Sequence, residues 1–110
     1  MKLTTHVLDN ARGAPAQGVE ISLHRIDGQV RVPLGSATTN ADGRTDAPLA
    51  EAPETGWYEL TFGVAAYFAT HGTAAFYDEI TVRFLIDDPA RNYHVPLLLS
   101  PWGYSTYRGS

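Results

Sequence analysis

Short runs of alternating apolar and polar residues, cut by turn residues at intervals of about 8 to 20 positions, leave this chain little room for any fold but an all-β one. Residues 3–9 alternate and stop at Asn10-Ala11-Arg12-Gly13. Residues 18–26 put Val19, Ile21 and Leu23 on one face, with Glu20, Ser22 and His24 on the other. Asp27-Gly28 reads as a tight hairpin into 30–39. Asn40-Ala41-Asp42-Gly43 is a further turn, predicted to lead into a short edge-like strand at 44–45. Runs at 57–62, 80–86, 93–99 and 104–108 bring the expectation to about eight strands.

One segment departs from the two-residue period. Residues 64–71 (VAAYFATH) are alanine-rich with helical spacing and stop at Gly72, which predicts one short helix between two strands. Strands in this number with a single helical crossover fit a two-sheet sandwich. A length of 110 residues predicts one domain, 1–110, burying roughly 60 to 70% of the surface its unfolded chain exposes. Hydrophobic residues at 44% and charged residues at 18% exclude a disordered chain. A net charge of -4 argues against nucleic acid or an anionic membrane as partner, since both call for a basic face. With no cysteine there is no disulfide framework, thiolate nucleophile or cysteine metal site. No stretch reads as a signal peptide or a membrane span, so a cytoplasmic address is expected.

The stretch 93–99 carries a further constraint. Tyr93, Val95, Leu97 and Leu99 point one way and should fill the core. His94, Pro96, Leu98 and Ser100 point the other way, a poor solvent face but a plausible contact face for another copy of the chain. After a turn at Ser100-Pro101-Trp102-Gly103 the sequence closes on Tyr107-Arg108-Gly109-Ser110. A phenol, a guanidinium, a glycine and a hydroxyl side by side read as a binding corner.

Four histidines are available for chemistry. His6 shares a strand face with Thr4 and Leu8, and His94 lies on the outward face of 93–99. Strand-borne imidazoles titrating near neutrality suit general acid–base work, although a lone strand histidine is more often a hydrogen-bonded structural residue. Arg44, directly after Asp42-Gly43, could grip a planar anion with two parallel hydrogen bonds, or be a solvated turn residue. His24 and His71 read as structural. No H-x-x-x-H or H-E-x-x-H spacing asks for a metal, and no G-x-S-x-G supports a serine nucleophile.

Three segments together, 3–9 (LTTHVLD), 39–44 (TNADGR) and 93–110 (YHVPLLLSPWGYSTYRGS), resemble the transthyretin-related proteins and, among them, the 5-hydroxyisourate hydrolase branch. The resemblance runs over essentially the whole chain. Its specific part is the closing Y-R-G-S, which separates the hydrolases from the thyroid-hormone carriers of the same fold. It implies a transthyretin-like sandwich of two four-stranded sheets, assembled as a homotetramer with active sites where dimers meet. It implies hydrolysis of a cyclic amide: opening of 5-hydroxyisourate, the product of urate oxidation, to 2-oxo-4-hydroxy-4-carboxy-5-ureidoimidazoline in purine breakdown. The family's site residues fall here on His6, Arg44, His94 and Tyr107, Arg108, Gly109 and Ser110. In that reading His6, Arg44, His94 and Ser110 carry the chemistry, while Arg44 and residues 107–110 hold substrate. Neither a metal nor an organic cofactor is expected.

Hydrolysis of a lactam needs activated water, stabilisation of a developing oxyanion and grip on a planar polar ring. One of His6 and His94 would serve as base, and sequence alone leaves open which. Two other readings compete: a non-catalytic carrier of a small ligand on the same fold, and an accessory sandwich domain. The carrier has no need of His6, Arg44 and Y-R-G-S together, and the accessory domain would be monomeric.

Overall fold

A computed structural model describes residues 1–109. The strands are β1 (Lys2–Thr4), β2 (Val7–Asp9), β3 (Ala14–Pro15), β4 (Glu20–Asp27), β5 (Val30–Thr38), β6 (Ala50–Glu51), β7 (Gly56–Phe62), β8 (Ile80–Ile86), β9 (Tyr93–His94), β10 (Leu97–Leu99) and β11 (Tyr104–Thr106), with one helix, α1 (Val64–Thr70), between β7 and β8. One layer is an antiparallel sheet in the order β5-β4-β7-β8. The other combines two ladders, β6-β1-β9 and β11-β10-β2-β3. These ladders form one surface, because the N–H groups of Val95 and Leu97 donate to the carbonyls of Thr4 and His6 at 3.0 Å each and carry the parallel pairing across the gap. The Thr5 hydroxyl donates to the Val95 carbonyl at 2.6 Å in the same gap.

Alternation survives the break. Leu3, Thr5, Val7 and Asp9 are buried, while Thr4, His6 and Leu8 face outward and are half-buried. Tyr93, Val95, Leu97 and Leu99 are all buried, as their spacing required. The core lies between the layers, where these side chains meet Ile21, Leu23, Leu60 and Phe62. Each such burial contributes roughly 1.5–3 kcal/mol. Helix α1 closes one end of the sandwich with Val64, Tyr67 and Phe68, an i, i+3, i+4 stripe. Its Tyr67 hydroxyl donates to the buried Asp9 carboxylate at 2.7 Å, whose other oxygen accepts the N–H groups of Ala11 and Arg12.

Several expectations need correction. Arg44 and Thr45 form no strand: the loop doubles back on itself, with the Asn40 N–H donating to the Arg44 carbonyl at 2.7 Å, so no edge is free to pair. The run 3–9 is two strands, and 93–99 is likewise split at Val95-Pro96. The helix stops at Thr70, with His71 as its C-cap. The two-residue strands β3 and β6 are too short to leave any periodicity. Pro96, on the outward face, is already buried within the single chain.

Pro96 also shapes the last strand. Leu97 pairs with Thr106, and His94 with Gly109, so the register between the two segments is unchanged on either side of Pro96. Proline has no N–H for a ladder. Tyr107 and Arg108 therefore sit in a gap, released from regular pairing, before Gly109 rejoins beside His94.

Candidate active site

The outward face of the β1-β9 pairing brings opposite ends of the chain together. Leu3 is in register with Tyr93 and Thr4 with His94. His6, two residues along the strand, shares that face. Two residues of rise and one inter-strand spacing place the backbones of His6 and His94 about 8 Å apart.

His6 is held by the turn opposite. A main-chain carbonyl only accepts, so the 2.9 Å contact between His6 Nε2 and the Asp42 carbonyl is a donation by Nε2–H. The neutral ring then keeps its lone pair on Nδ1. The turn is locked in place. Asn40 Oδ1 accepts the N–H groups of Asp42 and Arg44, at 2.9 and 3.2 Å, and the Val7 N–H donates to the Gly43 carbonyl at 2.8 Å. Gly43 sits at φ +74°, and a Cβ there would run into the Val7 carbonyl and come within 3.2 Å of Pro15 Cβ. Only glycine meets both the backbone angle and the close approach. The D-G-R order thereby delivers the Arg44 side chain, exposed, at the edge of the histidine face.

His94 is half-buried, with Nδ1 2.9 Å from Thr4 Oγ1. The Gly109 N–H donates to the His94 carbonyl at 2.8 Å. A Cβ on Gly109 would meet the imidazole itself, closest at Cδ2 and 3.0 Å from Cγ. Burial pushes the His94 pKa below the ordinary histidine value, and the nearby positive charges of Arg44 and His6 push it the same way. The site therefore offers an imidazole that resists protonation, a permanent cation and a second imidazole with a defined free nitrogen.

Tyr107 and Arg108 stand on the other side of His94. They line a cavity of about 280 Å³ with His94, Phe84, Tyr93 and Thr106. The Arg108 guanidinium lies over the Tyr93 ring, 4.8 Å from its centroid. The Tyr93 hydroxyl donates to Asp87 Oδ1 at 2.8 Å. That hydrogen bond holds the Asp87 carboxyl below the usual carboxylate range, with the Arg108 charge adding to it. Within one chain, then, Arg108 points its charge at Tyr93 and Asp87, whereas His6, Arg44, His94 and Gly109 gather around one patch. Ser110 lies outside the described residues. A second cavity of about 250 Å³ opens beside Thr4 and Arg44, with Lys2, Asp46 and Pro48 on its walls. His94 lines the first cavity and its hydrogen-bond partner Thr4 the second.

Thr4 was not anticipated as part of the site. Its alternation with His6 put it on the right face, but its role depends on pairing with a residue 90 positions away. Among the described residues no group of three or more His, Asp or Glu side chains is arranged to hold a metal ion.

The chain is similar to known proteins over nearly its whole length. The model of the HIUase/Transthyretin family matches residues 3–109. The 5-hydroxyisourate hydrolase of Deinococcus radiodurans is 56% identical over 113 residues, which cover 98% of this chain and 95% of that protein. The crystal structure of (S)-allantoin synthase superposes with a TM-score of 0.92 at 45% identity, covering 99% of this chain; the chain spans only 43% of that protein. Sea bream transthyretin in complex with thyroxine superposes with a TM-score of 0.92 at 26% identity, over 99% of this chain and 95% of that one.

Proposed function

This chain belongs to the HIUase/Transthyretin family, and from that premise we infer that it is an enzyme that opens 5-hydroxyisourate by hydrolysing a cyclic amide. The full-length relation to a 5-hydroxyisourate hydrolase at 56% identity points to this branch of the family. The observation that carries the chemistry is the meeting of His6 and His94 on one sheet face with Arg44 at its edge, where burial first, and then the Arg44 and His6 charges, lower the His94 pKa.

The roles follow from what each group has free. His6 commits Nε2–H to the Asp42 carbonyl, so Nδ1 is the nitrogen that takes a proton from water as the water oxygen bonds to the ring carbonyl carbon. The carbonyl electron pair moves onto its oxygen, where the Arg44 guanidinium stabilises the charge. When that pair returns, the carbon–nitrogen bond breaks, and the leaving nitrogen recovers the proton from His6. The ring opens to a carboxylic acid, which releases its remaining proton to solvent and becomes a carboxylate. Tyr107, Arg108, Gly109 and Ser110 would close the pocket around the substrate. No step calls on a metal or an organic cofactor.

The outward face supports an assembly as part of the same proposal. Leu8 and Leu98 are half-buried there beside the histidines, and a homotetramer with sites at the dimer–dimer interface would cover them and bring Tyr107 and Arg108 of one protomer toward the patch of another. No helix among the described residues is long and apolar enough to cross a membrane; a cytoplasmic address belongs to the proposal and is tested by cell fractionation.

The experiment adds purified protein to urate and urate oxidase and follows the ultraviolet absorbance of the transient intermediate. Faster decay is the expected result. Binding without acceleration would instead mark a small-ligand carrier and defeat the assignment.

A further inference from the structure

Neither histidine can serve the reaction from an undefined tautomer, and the two rings are fixed in different ways. The Asp42 carbonyl decides the matter for His6, since it can only accept. For His94 the partner at Nδ1 is the Thr4 hydroxyl, at 2.9 Å, which is able to donate or accept.

We propose that Thr4 is a positioning residue for His94: its hydroxyl donates to Nδ1, which places the ring proton on Nε2 and makes His94 a neutral N–H donor beside the base His6. The inference rests on the hydrolase reading above. Three observations carry it. Thr4 and His94 are register partners in adjacent parallel strands, so their side chains emerge side by side on one face and the contact follows from the backbone. The hydroxyl reaches the ring at Nδ1, and among the described residues this is its one side-chain hydrogen bond, so no other protein side chain draws its proton away from the imidazole. Donation by Thr4 leaves neither group short, and it matches the Nε2–H tautomer that imidazole favours in water. Finally, Gly109 packs its backbone against the Cδ2 and Cγ edge of the same ring, so the imidazole plane is held from one side by a hydroxyl and from the other by a glycine.

The consequence is a division of labour. His6 presents a lone pair at Nδ1 and takes the proton from water. His94 presents Nε2–H, and with Arg44 offers hydrogen bonds to the oxygen on which negative charge develops. His94 keeps its own proton throughout, so the step balances with His6 alone as base and acid.

Nitrogen-15 NMR of the wild-type protein distinguishes a protonated from an unprotonated ring nitrogen. The expected spectrum has His94 protonated at Nε2 and bare at Nδ1; a His94 protonated at Nδ1 overturns the proposal. Thr4→Val, which keeps the shape and removes the hydroxyl, is expected to mix the two tautomers and lower kcat by about 10- to 100-fold, the usual cost of losing such a second partner, with KM nearly unchanged. Thr4→Ser should restore both the tautomer and most of the rate. Equal turnover and an unaltered His94 spectrum in Thr4→Val would overturn it as well. Should Thr4→Val fail to fold, the wild-type spectrum together with Thr4→Ser decides. A wild-type protein inactive on 5-hydroxyisourate would defeat the hydrolase reading, while the His94 spectrum would still report on Thr4.

Discussion

At the scale of single residues, the proposed site depends on a histidine whose burial and neighbours disfavour its charged form. Single replacement of His6, Arg44 or His94 by alanine should lower kcat/KM at least about a hundredfold, the lower end of what a well-placed acid–base group contributes. Far-ultraviolet dichroism should remain that of the wild type. Near-normal turnover in all three variants would end the assignment. His94 also carries a pH signature. Burial, then Arg44 and His6, lower its pKa, so the folded ring resists a proton that the unfolded chain accepts. Its contribution to stability is therefore whole above the ordinary histidine value of about 6.5 and is lost as pH falls from there through the lowered folded value. Denaturant titrations from pH 7.5 to 5 should show that slope in the wild type and a shallower one in His94→Gln. Gly109 is a residue whose importance lies in an atom it lacks. Gly109→Ala would drive a methyl into the His94 ring, and we expect at least about a tenfold loss of kcat/KM, on the scale of a disturbed supporting contact. An alanine variant with unchanged kinetics would show that the Gly109 backbone does not set the ring position.

At the scale of elements, the two sheets divide their work. The outward face of β1-β9 holds the proposed reactive groups. The outward face of β5-β4-β7-β8 holds a charge network instead: Glu59, only 8% exposed, accepts from Arg31 Nε at 2.8 Å and Arg83 Nε at 2.9 Å. Burial alone would raise the Glu59 pKa, and the hydrogen bonds from Arg83 and Arg31 outweigh it and bring it below the usual value. Glu59→Ala should destabilise the fold by about 1–3 kcal/mol, the cost of losing hydrogen bonds to charged partners, and leave kcat/KM of the folded enzyme unchanged. A large kinetic loss at constant stability would mean that the sheets are functionally coupled. The strand 80–86 and the helix starting at Val64 were legible because period and stop signals lie within each segment. The splits at Thr5-His6 and Val95-Pro96 were not, because an interruption that leaves alternation intact has no trace in the pattern. For the same reason the strand expected at 44–45 came out as loop: Asn40 closes the turn on Arg44 through contacts that no local period encodes.

At the scale of the whole molecule, the histidine face is also the face that would meet another copy. Light scattering at micromolar concentration should give a mass four times that of the chain. Leu98→Glu, placing a charge on that half-buried outward position, should lower the mass and reduce activity together. A fully active monomer would show that one chain contains the complete site.

The sequence by itself determined the all-β architecture, the inward set of core residues, the glycine-tight turn before Arg44 and the identity of the candidate groups. These are properties of neighbours along the chain, where alternation and turn chemistry act over a few residues. Tertiary structure alone decided that Thr4 stands beside His94, that Asp42 claims one nitrogen of His6, and that Gly109 presses on an imidazole. Those contacts join residues 90, 36 and 15 positions apart, and side chains so far separated in sequence meet only after the sheets have fixed their register.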